Sequence, residues 1–132
     1  MRKLILVMIV LFCFGDLSSQ DRVPVDSLKV SIENNCFFSL YNGIPFTGIG
    51  YSVYENGKLS GEVNLKDGKF DGLLEEWYEN GQLKREIKYK EGKNDGLWKE
   101  WYENGQLDRI IKYKEGKKDG IYRRWYENGQ LK

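Results

Sequence analysis

The chain has 132 residues, 21 of them basic and 20 acidic, for a formal net charge of +1, with no His, two Cys, two Pro and 15 Gly. One domain is the expectation at this length, and a composition that is 40% hydrophobic and 31% charged is too apolar for a disordered chain. The absence of His excludes a Ser-His-Asp triad, a Cys-His pair and an imidazole metal site.

The chain opens MRKLILVMIVLFCFGDLSSQ. A basic start at Arg2 and Lys3, an unbroken apolar run over Leu4–Phe14 and small residues at Gly15, Ser18 and Ser19 give the layout of a secretory signal peptide cut before Gln20. The apolar run, at about 1.5 Å per residue, spans roughly half of a bilayer's hydrocarbon core, which disfavours a transmembrane helix. Residues 1–19 are therefore expected to be a signal peptide. The mature protein is expected in the periplasm, at the cell surface or in the medium, and in the cytoplasm only if this segment is not a signal. Bulky Phe12 precedes Cys13 where lipid attachment wants a small residue. Cleavage would leave 19 basic and 19 acidic residues, a balance that exerts no long-range pull on nucleic acid or an anionic membrane. It would also leave Cys36 without an intrachain disulfide partner, and beside Phe37 and Phe38 it reads as a small buried hydrophobe.

Residues 20–35, with Pro24, scattered charges and Asn34-Asn35, read as a tether. A strand at Cys36–Leu40, together with Ile44–Thr47, is expected to cap the first hairpin, because capping units depart from a repeat consensus where one face meets solvent.

From Gly48 onward the chain is a repeat. Tyr-Glu-Asn-Gly recurs at Tyr54–Gly57, Tyr78–Gly81, Tyr102–Gly105 and Tyr126–Gly129, 24 residues apart each time. Lys66-Asp67-Gly68-Lys69 is echoed at Lys90–Lys93 and Lys114–Lys117, and Asp-Gly at Asp71-Gly72, Asp95-Gly96 and Asp119-Gly120. Units therefore start near 48, 72, 96 and 120 within a repeat domain of residues 36–132. Each reads as a β-hairpin. Asn56-Gly57, Asn80-Gly81, Asn104-Gly105 and Asn128-Gly129 are the expected structural turns, of type I′, since Asn-Gly between strand-like runs is the strongest short hairpin cue. A two-residue turn at Asn80-Gly81 sets Tyr78 opposite Leu83, Glu76 opposite Arg85 and Leu74 opposite Ile87. One unit later it sets Tyr102 opposite Leu107, Glu100 opposite Arg109 and Trp98 opposite Ile111. A one-residue slip would destroy all of these pairs, so the register is specified.

Trp77, Trp101 and Trp125 share one repeat position and fall on the opposite strand face, with Leu73, Leu97 and Ile121. Side-by-side hairpins would place the indoles in a ladder. That ladder is either half of a two-sided core or an exposed aromatic surface for a partner. The three Trp are the candidate partner-binding residues.

The run Trp77-Tyr78-Glu79-Asn80-Gly81-Gln82-Leu83, followed by Tyr89-Lys90-Glu91-Gly92-Lys93 and Asp95-Gly96, resembles the bacterial variant form of the MORN repeat over roughly residues 41–132. Such chains are similar to the YwqK-type antitoxin family of toxin–antitoxin systems. The resemblance implies an all-β fold of stacked antiparallel hairpins in a single curved, elongated sheet. It also implies protein–protein or membrane association without catalysis. The sequence stops at Gln130-Leu131-Lys132, directly after the last turn. Either the molecule ends there on an open sheet edge, which would invite strand addition or edge-to-edge homo-oligomerisation, or the sequence is a fragment.

Nothing singles out catalytic chemistry. Glu55, Glu79, Glu103 and Glu127 recur once per unit before each Asn-Gly, so they read as part of the fold rather than as an acid/base pair. The aspartates near glycine lack calcium-loop spacing and have Lys66, Lys69 and Lys93 beside them. No cofactor, metal or nucleic acid is expected. A protein of unknown identity is the expected partner, with toxin neutralisation or a membrane-surface scaffold as the alternatives.

Overall fold

The structure is a computed structural model, and it describes residues 21–33 and 36–132 and the side chains of residues 21–28 and 39–132. Its strands, in chain order, are β1 Arg22–Pro24, β2 Lys29–Glu33, β3 Cys36–Tyr41, β4 Ile44–Pro45, β5 Gly48–Val53, β6 Leu59–Lys66, β7 Lys69–Trp77, β8 Leu83–Lys90, β9 Lys93–Trp101, β10 Leu107–Lys114 and β11 Lys117–Arg124. A 3-10 turn, Val25–Ser27, joins β1 to β2. Eight strands make one sheet in the order β1-β5-β6-β7-β8-β9-β10-β11, and β2-β3-β4 make a second, three-stranded sheet. All pairings are antiparallel except β1 with β5.

The all-β hairpin repeat is as expected, with two differences near the start. A second small sheet accompanies the main one. Residues 21–33, expected as tether, are strand and turn: Arg22–Pro24 pairs with Ile49–Tyr51, and Lys29–Glu33 with Cys36–Leu40. Gly48 makes the first of these possible, since a Cβ there would stand 2.4 Å from the Asp21 carbonyl oxygen and 2.6 Å from the Phe46 ring. Asp21 instead accepts the Ile49 N–H at 2.8 Å. The expected signal peptide over 1–19 and the side chain of Cys36 lie outside the described residues.

Strand alternation places the core on one face of the main sheet. Leu74 is opposite both Val63 and Ile87, and Trp98 is opposite both Ile87 and Ile111. Ile87 retains 2% of its exposure and Leu65 4%, and burying one such side chain contributes about 1.5–3 kcal/mol. At the N-terminal end Val23 and Phe46 close over Val63 and Leu65, with Leu28, Phe70 and Leu74 packed around them. Val23 of β1, with Leu28 and Phe46, which flank the strands of the small sheet, thus cover the first hairpin, while further along the sheet the same face is buried by contacts such as Phe70 edge-on against Tyr89 at 5.2 Å.

Glu76–Arg85, Leu74–Ile87, Glu100–Arg109 and Trp98–Ile111 are paired as expected. The pairs nearest the turn are not. Leu83 is opposite Trp77 rather than Tyr78, and Leu107 opposite Trp101 rather than Tyr102, each beside a register shift. The turn class is the reason. Gly81 N–H donates to the Tyr78 carbonyl, and Tyr78 N–H donates to the Gln82 carbonyl, both at 2.8 Å. Of Asn80 and Gly81, only Gly81 has positive φ, at 87°. This is a type I turn closed by a left-handed glycine, which adds a residue to the loop and a bulge to the ladder. Gly57, Gly105 and Gly129 repeat it, so the expected type I′ geometry is wrong at all four Asn-Gly pairs.

Type I′ geometry stands at the other end of the strands. Asp67-Gly68, Glu91-Gly92 and Glu115-Gly116 have both φ positive, with the acidic residues at 49°, 49° and 50°. Two-residue loops there set Lys66 opposite Lys69, Lys90 opposite Lys93 and Lys114 opposite Lys117. Each of these glycines also ties its unit to the one before: Gly68 N–H donates to the Phe46 carbonyl, Gly92 to that of Phe70 and Gly116 to that of Asn94, at 2.8–2.9 Å.

Candidate functional site

The residues on the face turned away from the core are fixed by alternation: Leu73, Glu75 and Trp77 on β7, Leu97, Lys99 and Trp101 on β9, and Ile121, Arg123 and Trp125 along and just after β11. Equivalent residues lie two strands apart, about 9–10 Å. The three indoles are half-buried. Leu73, Leu97 and Ile121 are exposed, at 38%, 37% and 45%. Trp77 is opposite Leu83, Trp101 opposite Leu107, and Trp125 is bridged to Leu131. An apolar strip of Trp and Leu therefore runs along one margin of this face, and an aliphatic row runs parallel to it.

The Trp main chain has a second use that sequence reasoning missed. The hydroxyls of Tyr54, Tyr78 and Tyr102 donate to the carbonyls of Trp77, Trp101 and Trp125, one repeat later, at 2.6, 2.8 and 2.9 Å. The turn asparagines act alongside them. Asn56, Asn80, Asn104 and Asn128 each accept the N–H two residues on through Oδ1. Through Nδ2, Asn80 and Asn104 donate to the carbonyls of Glu103 and Glu127, both at 3.0 Å, and Asn56 donates to the Glu79 carboxylate at 2.7 Å. The signal was the fixed Tyr-Glu-Asn-Gly phase, which exceeds what a local turn requires.

Charge on the Trp face is uneven. Glu62 is opposite Glu75, and Glu75 is opposite Glu86. Arg22 pairs with Glu62, and Lys99 with Glu86 at 2.8 Å. Towards β11 the same row turns to Lys99, Ile110 and Arg123. Glu75 and Arg123 form no ion pair among the described residues.

Opposite signs alternate on the core face. Arg85 lies between Glu76 at 3.6 Å and Glu100 at 3.5 Å, and Arg109 between Glu100 at 2.6 Å and Asp108 at 3.2 Å. Arg109 is also opposite Arg124. Asp108, the extra residue at the bulge, resolves that like-charge contact by reaching Arg124 at 3.3 Å. Asp108 is 8% exposed. Its burial pushes the carboxyl pKa up, but hydrogen bonds from Tyr102 and Arg124 and the Arg109 charge outweigh this and hold it below the usual carboxylate value. Tyr102 has one hydroxyl proton to share between Asp108 and the Trp125 carbonyl.

Among the described residues no group of three or more Cys, Asp and Glu is placed to hold a metal ion. The Trp face presents apolar rows with charge between them. The MORN repeat variant pattern matches the chain four times, at residues 46–67, 70–91, 94–115 and 118–132, together more than half of its length. No curated protein and no solved structure matches it significantly. Four matched repeats, three set on the hairpins β5–β6, β7–β8 and β9–β10 and the fourth on β11 of the same continuous sheet, place the chain in the MORN repeat variant family.

Proposed function

We propose that this protein is an exported, non-enzymatic binding module that engages a protein partner through its Trp-bearing sheet face. MORN repeats are in general protein- or membrane-binding modules and typically carry no catalysis. The observation that supports the protein-binding reading is the parallel placement of half-buried Trp77, Trp101 and Trp125 with exposed Leu73, Leu97 and Ile121 on one face. Aromatic and aliphatic anchors flanked by charge suit the centre and rim of a protein interface. The uneven charge row, acidic at Glu62, Glu75 and Glu86 and basic towards Arg123, favours a partner of complementary pattern over a uniformly anionic surface.

Capture from fractionated cells tests this. The triple substitution Leu73→Ser, Leu97→Ser and Ile121→Ser touches exposed side chains, so the β-type circular dichroism should persist while the captured partner is lost. Retention of the partner by a folded variant would refute the face assignment. Intact mass and N-terminal sequence test export in the same preparation. A chain starting near Gln20 outside the cytoplasm supports it. An intact Met1 in the cytosol would move the search to a cytosolic toxin, with growth rescue on co-expression as the criterion.

A further inference from the structure

Five Asn-Gly dipeptides occur in the chain, at Asn42, Asn56, Asn80, Asn104 and Asn128. Asn-Gly is prone to cyclise, because glycine offers no side chain to hinder its own nitrogen from attacking the preceding carboxamide. Attack requires a carboxamide free to rotate and an N–H free to lose its proton.

The structure withholds both conditions at four of the five. The carboxamide oxygens of Asn56, Asn80, Asn104 and Asn128 are held by the N–H two residues on, at 2.9–3.1 Å. Asn56, Asn80 and Asn104 are also anchored to the next repeat through Nδ2. The attacking nitrogens are tied as well: Gly57, Gly81, Gly105 and Gly129 donate to the carbonyls of Tyr54, Tyr78, Tyr102 and Tyr126 at 2.8–2.9 Å.

Asn42-Gly43 stands in the other class of turn, with φ of 53° and 80°. Asn42 is exposed, and nothing lies within 4 Å of the position a Cβ on Gly43 would take. Among the described residues neither the Asn42 carboxamide nor the Gly43 N–H makes a hydrogen bond. The sibling type I′ glycines, Gly68, Gly92 and Gly116, all donate theirs. Asn42-Gly43 therefore lacks the restraint of both sets of relatives within the same chain.

We propose that Asn42-Gly43 is a site of spontaneous deamidation, selected over the other four by the fold. The Gly43 nitrogen bonds to Asn42 Cγ, the Cγ–Nδ2 bond breaks, and the proton lost from the attacking nitrogen leaves with the amide as ammonia. Water then opens the resulting succinimide at either carbonyl, leaving aspartate or isoaspartate at position 42. No oxidant or reductant is involved. Isoaspartate carries an extra methylene in the main chain, in a two-residue turn that holds Tyr41 opposite Ile44. Two residues on, Phe46 is 7% exposed in the N-terminal core and accepts the Gly68 N–H. Deamidation thus loosens the packing of Phe46 on the first hairpin.

The test is peptide mapping by mass spectrometry of the full-length protein incubated in mildly alkaline buffer, alone and in urea. In native buffer, conversion at Asn42 should be about tenfold faster than at Asn56, Asn80 or Asn104, a ratio equivalent to about 1.4 kcal/mol and of the order of the net hydrogen bonding those sites must break. In urea the differences should collapse. Asn42→Gln should remove the dominant acidic species on isoelectric focusing, since the longer side chain closes its ring far more slowly. Equal rates in native buffer, a faster site elsewhere, or no conversion at Asn42 would each overturn the proposal.

Discussion

The hydroxyl of Tyr78 donates to the main-chain carbonyl of Trp101, 2.8 Å away and one repeat later. Tyr54 and Tyr102 repeat the bond to Trp77 and Trp125, so successive units are joined by side chains as well as by the strand ladder. These donors leave the Trp side chains on the outer face while holding the Trp main chain in place. Tyr78→Phe should cost about 1 kcal/mol, the net value of one part-buried hydrogen bond. Tyr126→Phe should be near neutral, because the Tyr126 hydroxyl makes no hydrogen bond among the described residues and the side chain is 52% exposed. Urea titration of both variants checks the contrast.

Two turn classes in one hairpin repeat predict opposite responses to similar substitutions. Glu91 and Glu115 hold φ of 49° and 50°, a left-handed conformation that costs a non-glycine residue about 1–2 kcal/mol and that Asn tolerates better. Glu91→Asn and Glu115→Asn should therefore raise the unfolding midpoint, each by the equivalent of roughly 0.5–1 kcal/mol. Asn80→Gly should lower it, since Asn80 has no positive φ to relieve and loses bonds to Gln82 and Glu103. Thermal unfolding distinguishes the two directions.

Asp108 gives the protein an acid-side dependence. Its folded pKa lies below the ordinary carboxylate value, so its contribution is present above that value and is lost as pH falls through the carboxylate range towards the folded pKa. Asp108→Asn should lower stability at neutral pH by about 1–2 kcal/mol and flatten the loss on acidification. On the alkaline side, burial raises the pKa of Tyr78 and Tyr89 above the ordinary phenol value, with Glu103 adding to the effect at Tyr78. A raised phenol contributes below its unfolded pKa and loses that contribution as pH rises through the folded one. Stability should therefore fall again at high pH, and chemical denaturation across pH reads both limbs.

The repeat period, the strand faces and the charge pairs Glu76–Arg85 and Glu100–Arg109 were legible in the sequence because alternation and a fixed phase are local properties. The turn class was not. Asn-Gly favours type I′ in isolation, but at all four pairs the Asn Oδ1 accepts the N–H two residues on, and this bond accompanies the longer turn both where Nδ2 reaches the next unit, as at Asn80, and at Asn128, where only the Oδ1 bond is made among the described residues. The strand at Arg22–Pro24 was hidden because its pairing is non-local: three residues including Pro24 carry little strand signal, and their pairing depends on Gly48 admitting close approach. On the Trp face, alternation revealed which residues share a side. Burial of Trp77 beside exposure of Leu73 required the structure.

Photo-crosslinking in the cells that make the protein tests the binding face most directly. A photoreactive residue is placed at Leu73 or Leu97 on the Trp face, or at Tyr122, which is 54% exposed on the opposite side of the sheet. Adducts of one common mass from positions 73 and 97, and none from 122, are the expected result. Adducts from 122 without any from 73 or 97 would contradict the assignment of the Trp face as the partner's surface.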